Sequence, residues 1–181
     1  MTDLQNRCLD TFPEWLRALA SDAAELGEVL SVGELAEPAR RHVAVGLNYL
    51  FKSLDLIPDG IEDLGFLDDA FVLRVAAALA VEANPDAVRQ APILGRLANE
   101  AGLVSELLGK DYGRLVNYVK GQGKIAARGR SVDEILGSEE VRSGFLQEVR
   151  GWATSYAAPS FTRDEKNLIK LSAFLSAKLP S

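Results

Sequence analysis

Six carboxylates, Asp55, Asp59, Glu62, Asp63, Asp68 and Asp69, fall within fifteen residues that contain no basic residue. Clustered like charges either raise a carboxyl pKa or recruit a cation. The first chemistry to test is therefore a hard divalent ion, held by Asp55, Asp59, Asp63, Asp68 or Asp69 as in a metal-dependent phosphohydrolase. An EF-hand loop counted from Asp55 puts Asp59 and Gly60 at positions five and six, but Ile57 and Phe66 occupy positions three and twelve, where oxygen ligands are required. The paired Glu-x-x-Glu arrangement of magnesium-dependent helical pyrophosphatases finds one pair in Glu34 and Glu37. Its second pair, Asp59 and Glu62, straddles Pro58 and Gly60, where regular helix is not expected. Asp68 and Asp69, adjacent at a helix start, should point about 100° apart and miss a common ion. The expectation is no metal and no cofactor, with the carboxylates capping helix N–H groups, making turn bonds, or pairing with Lys52, Arg40, Arg41 or Arg74. Arg74 should find its carboxylate in this turn, with Asp55, Asp59 and Asp69 as candidates, because a guanidinium in an apolar helix needs a partner.

A second charged feature runs from Tyr112 to Val132, where Arg114, Lys120, Lys124, Arg128 and Arg130 meet no acidic residue. Basic groups interleaved with Tyr112 and Tyr118 suit single-stranded nucleic acid or an anionic lipid surface, while a sequence pI near 4.9 opposes long-range attraction to polyanions. Gly121-Gln-Gly-Lys124 is not a phosphate loop, since Tyr118 and Ile125 stand where Gly and Ser or Thr are required. Cys8 and His42, each the only one of its kind, cannot build a Cys- and His-based zinc site, and nothing in the sequence brings them together as a nucleophile pair. No Gly-x-Ser-x-Gly elbow is present.

The elements that must position these residues read as all-α, because no stretch alternates apolar and polar residues with β-branched enrichment. Ser/Thr-x-x-Glu patterns propose helix starts at Thr11 with Glu14, Ser31 with Glu34, Ser131 with Glu134 and Thr162 with Glu165. Pro38 should open a helix reaching Phe51, and Asn84-Pro85 should cap another. Val141, Phe145, Leu146, Val149, Trp152 and Tyr156 share one face of a helix, and Leu168, Leu171 and Leu175 share one of the last. From Ala70 to Val81 only Arg74 is not apolar, the pattern of a central, buried helix. Between the carboxylates, Pro58 presets φ while Gly60 and Gly65 admit φ > 0, so the chain should reverse into a helical hairpin.

At Asp55-Leu-Ile-Pro-Asp59 and at Gly65, Leu67, Asp68 and Asp69 the sequence resembles the YkvA-like family, domain of unknown function 1232, over roughly residues 40–80. Ser53 stands where that family usually has Pro. The resemblance implies a helical hairpin within a bacterial-type domain and brings no activity, substrate or catalytic residue with it.

The chain has 181 residues, 48% of them apolar, with 20 basic and 26 acidic groups. That length builds a core without a disulfide or metal staple. Residues 1–70 carry 5 basic and 14 acidic groups, whereas 71–181 carry 15 and 12, so the molecule is electrically two-sided. With no signal-like h-region and no apolar run of membrane-spanning length, the expected setting is cytoplasmic, with a place at the membrane periphery as the alternative. The expected architecture is one all-α domain, residues 1–181, of seven or eight helices around the hairpin. The expected function is a non-enzymatic binding or adaptor domain with a protein partner. A metal-dependent phosphohydrolase and a membrane or nucleic-acid binder acting through residues 112–132 are the rivals. Nucleic acid and a small-molecule substrate are the disfavoured partners.

Overall fold

A computed structural model describes residues 1–32, 34–52 and 55–181, and among them the chain is helical with no strand. Eight helices of six or more residues and one single-turn helix succeed one another. They are α1 (Asp3–Val32), α2 (Glu37–Tyr49), α3 (Leu67–Ala83), the single turn α4 (Ala87–Gln90), α5 (Pro92–Leu108), α6 (Tyr112–Gly121), α7 (Val132–Gly137), α8 (Glu139–Ser155) and α9 (Glu165–Lys178). Ser53, the departure from the YkvA-like pattern, lies outside the described residues.

The first helix begins earlier than the Thr11 and Glu14 pair suggests. The Thr2 hydroxyl accepts from the Gln5 N–H at 3.1 Å and the Gln5 side chain accepts from the Thr2 N–H at 2.8 Å, a reciprocal cap nine residues upstream. Thr11 then falls inside α1 because Cys8, Leu9, Phe12, Trp15, Leu16 and Leu19 form one uninterrupted buried stripe. Pro13 sits within the helix and forfeits one backbone bond. Aromatic packing on either side, Phe12 and Trp15 against Phe71 at 5.2 and 6.1 Å, holds that turn in place. Ser31 does not cap either, since its hydroxyl donates back to the Glu28 carbonyl at 2.8 Å. Of the four proposed boxes only Ser131 with Glu134 forms, at the start of α7. Asp164 takes the cap of α9 in place of Thr162. The N–H of Asn84 donates to the Ala80 carbonyl and so closes α3, leaving Pro85 in a connecting turn rather than opening a helix.

Pro38 does open α2, which ends at Tyr49. α2 and α3 form the helical hairpin, and Gly46 lets them close, since a Cβ there would lie 2.9 Å from that of Ala76. α3 is buried on every side, between α2 and α5, while α1 runs along α8 and touches α9. No helix among the described residues is long and apolar enough to cross a membrane.

Candidate functional site

From Pro58 to Phe66 the chain is a run of short turns. Pro58 O accepts from the Ile61 N–H, and Ile61 O from those of Leu64 and Gly65. The left-handed positions fall not on Gly60 or Gly65 but on Asp63, φ 65°, and Phe66, φ 68°. Asp tolerates that region through its short polar side chain. A bulky Phe does so only under tertiary constraint, supplied here by Tyr156 and Trp152, whose rings lie 5.2 and 6.4 Å from that of Phe66. Gly65 is required for a different reason. A Cβ on it would lie 2.1 Å from the Asp59 carbonyl oxygen, so the two turns of chain pass too closely for any side chain.

This folding lays Asp55 across the first turn of α3. Oxygens of Asp55, Asp68 and Asp69 then lie within 4.8 Å of one another, Asp68 and Asp69 buried and Asp55 partly so. The 100° between adjacent helix positions does not separate Asp68 from Asp69, contrary to the sequence reading, since each offers an oxygen within 4.8 Å of the other and of one on Asp55. Phe66 at the N-cap of α3 offers no side-chain cap. Asp68 Oδ2 accepts from the Tyr49 hydroxyl at 2.7 Å and the Ile57 N–H at 3.4 Å, while the same Tyr49 oxygen accepts from the Leu56 N–H at 2.9 Å. One phenol thus ties the turn to α3 and fixes the orientation of one carboxylate. Asp55 Oδ1, Asp68 Oδ1 and Asp69 Oδ2 are buried without any hydrogen-bond partner.

Burial pushes the Asp55 carboxyl up to about 7, with Asp68 and Asp59 adding repulsion. Burial raises Asp68 too, against the favourable bond from Tyr49. Asp69 is raised well above the ordinary range, by burial first and then by Asp68, Asp55 and Asp59. Among the described residues the nearest cation is Lys52. Its ammonium donates to the Tyr118 hydroxyl at 2.6 Å, lies over the Tyr118 ring, and is itself lowered by burial. Of the other two candidate ligands, Asp59 is exposed at the edge of the cluster, and Asp63 faces away, accepting from the Thr162 N–H at 2.8 Å.

Arg74 does not serve these carboxylates, which corrects the expected pairing with Asp55, Asp59 or Asp69. Fully buried, it donates to Glu100 at 3.2 Å and to the Ala70 carbonyl at 3.0 Å, lies 3.6 Å from Asp22, and stacks 4.0 Å from the Trp15 ring centre. Arg96 closes the group by donating to Asp22 and Glu100. Asp22 and Glu100 lie 52 and 26 residues from Arg74, so no local spacing announces them.

The basic stretch is divided among different tasks. Arg114 donates to Asp111 and to the carbonyls of Ser176, Leu179 and Pro180, fastening the C-terminal segment. Arg130 pairs with Glu148, Lys120 and Lys124 are exposed, and Arg128 occupies a tight turn. Sequence reasoning passed over Tyr49, whose only signal was that it borders the motif, and placed Tyr118 in the basic stretch rather than beside the acidic turn.

Residues 40–74 match the family described as "Protein of unknown function (DUF1232)", a span that holds Tyr49, Asp55, Pro58, Asp59, Gly65, Asp68, Asp69 and Arg74. The likeness covers the hairpin and its turn, under a quarter of the chain. No curated protein and no solved structure matches the chain.

Proposed function

We propose that the chain is a non-enzymatic helical binding module whose acidic turn holds one hard divalent cation between Asp55, Asp68 and Asp69. The observation that carries this reading is the convergence of three carboxylates, Asp68 and Asp69 buried and Asp55 partly so, each with one buried, unpartnered oxygen. A buried charge without a partner is too costly to keep, and Lys52 alone does not balance the group. Oxygens on opposite sides of Ca²⁺, bound at about 2.4 Å, lie about 4.8 Å apart. The observed spread therefore needs little movement to close on an ion. The donor set is all oxygen, which selects Ca²⁺, Mg²⁺ or Mn²⁺ over metals that prefer nitrogen or sulfur. Tyr49 and Ile57 hold Asp68 in place, as outer partners hold metal ligands generally. We place the module in the cytoplasm, where the single buried thiol of Cys8 needs no disulfide partner.

Calorimetric titration with Ca²⁺, Mn²⁺ and Mg²⁺ after chelator treatment tests the reading. A saturable isotherm is expected, lost in Asp69→Asn and accompanied by stabilisation of about 2.7 kcal/mol at a hundred times Kd. Absence of both heat and thermal shift at millimolar cation would sink it.

A further inference from the structure

Beside the acidic turn lies a cleft of about 600 Å³ whose walls include Phe51, Lys52, Asp59, Ile125, Arg128 and Trp152. Its lining joins the apolar Phe51, Ile125 and Trp152 to polar groups in about equal measure, and Ile125 is 45% exposed, one of few large apolar side chains open to solvent among the described residues. Its rim carries two cations. Arg128 sits in a two-residue turn with Gly129, both with positive φ, closed by reciprocal backbone bonds between Ala127 and Arg130. A left-handed, non-glycine position is a conformation kept at some cost. Here it presents a guanidinium over the Phe51 ring at 4.9 Å. Arg128 is largely free to bind, since its only carboxylate neighbour among the described residues, Glu148, lies 4.0 Å away and already pairs with Arg130. Lys52 has no carboxylate within 4.0 Å among the described residues, and its donor set is only partly used by Tyr118. Two under-neutralised cations beside apolar and aromatic side chains fit a phosphate group attached to an apolar body.

Asp59 joins this cleft to the acidic cluster. Without a cation the ionised carboxylates would repel a phosphate dianion from the Lys52 side; a bound divalent ion sets two positive charges against them. We propose that the cleft binds a phosphate monoester through Lys52 and Arg128, with its apolar part against Phe51, Ile125 and Trp152, and that it does so only when the acidic turn is loaded with a divalent cation. This rests on the cation reading above. The phosphate can come from a free aryl ester or from a lipid headgroup, and Ile125, flanked by the exposed Lys124 and by Arg128, suits either.

The test is a titration of the full chain with phenyl phosphate in saturating Ca²⁺, beside sedimentation with vesicles of phosphatidylcholine containing one-fifth phosphatidic acid. Binding in at least one arm is expected, weakened at least tenfold in Arg128→Gln and in Lys52→Gln and lost in chelator. Binding in the first arm identifies a free ester; binding in the second alone identifies a headgroup. Arg128→Gln should keep the wild-type Ca²⁺ isotherm, which separates loss of this site from loss of the cation. A normal Ca²⁺ isotherm with no binding in either arm overturns the inference and leaves the cation reading standing. So does phosphate binding that Arg128→Gln does not weaken. A missing Ca²⁺ isotherm overturns the cation reading itself, and phosphate binding that persists in chelator then overturns the proposed dependence.

Discussion

Two groups of buried charge lie at α3, one in its middle and one at its start, and they are built on opposite principles. At Arg74 two guanidiniums face two carboxylates, Asp22 and Glu100, with an aromatic ring beneath. At the acidic turn Asp55, Asp68 and Asp69 face one another, with unpartnered oxygens. The first group balances its charge from its own chain, although Asp22 Oδ2 and Arg74 Nε lack hydrogen-bond partners. The second is balanced only by something brought in, either protons or a cation. Charge balance, rather than burial, therefore separates the two clusters.

The largest way to break the comparison is to unbalance the first group. Arg74→Met leaves Asp22 and Glu100 to Arg96 alone and should cost about 3–5 kcal/mol, with Arg74→Glu worse still. Urea unfolding measures it, and equal, negligible losses for both variants would place Arg74 outside any pairing. Next comes the turn that assembles the second group. Gly65→Ala drives a methyl into the Asp59 carbonyl and should cost about 1–3 kcal/mol while weakening Ca²⁺ binding. An unchanged melting midpoint would refute the close approach.

The smallest effect is also the one that sharpens the contrast most, because its sign is inverted. In chelator, Asp69→Asn should stabilise the fold, by roughly 1 kcal/mol on the scale of relieving an unsatisfied buried group. Wild-type stability in chelator should fall as pH rises from near 4 through about 7. The folded carboxyls, Asp55 at about 7 among them, hold protons there that the unfolded chain has released. Saturating Ca²⁺ should flatten that slope. A chelator profile that instead rises through this window would show carboxylates already paired within the fold.

How much of this was legible in the sequence depended on whether the signal was local. The all-α class, the buried helix around Arg74 and the cap of Ser131 with Glu134 rest on residues a few positions apart, and the structure has them all. Thr11 with Glu14 carried the same local signature and failed, because a buried stripe running from Cys8 to Leu19 outweighs a cap. Partners of Arg74 come from α1 and α5, which only tertiary packing brings together. Convergence of Asp55 on Asp68 and Asp69 depends on a left-handed Phe66, a conformation no propensity would assign to that residue. The motif residues could be read as a set, but not that they share one point.

The position of α1 has a consequence for synthesis. This helix packs along α8 and touches α9, so it is covered by helices made later. At about 5–20 residues per second, α8 begins to emerge roughly 5–20 s after α1 is complete. Throughout that interval Leu9, Phe12, Leu16 and Leu19 lack part of their final cover. The nascent chain thus carries uncovered apolar surface for that time, and fragments ending before α8 should aggregate rather than fold.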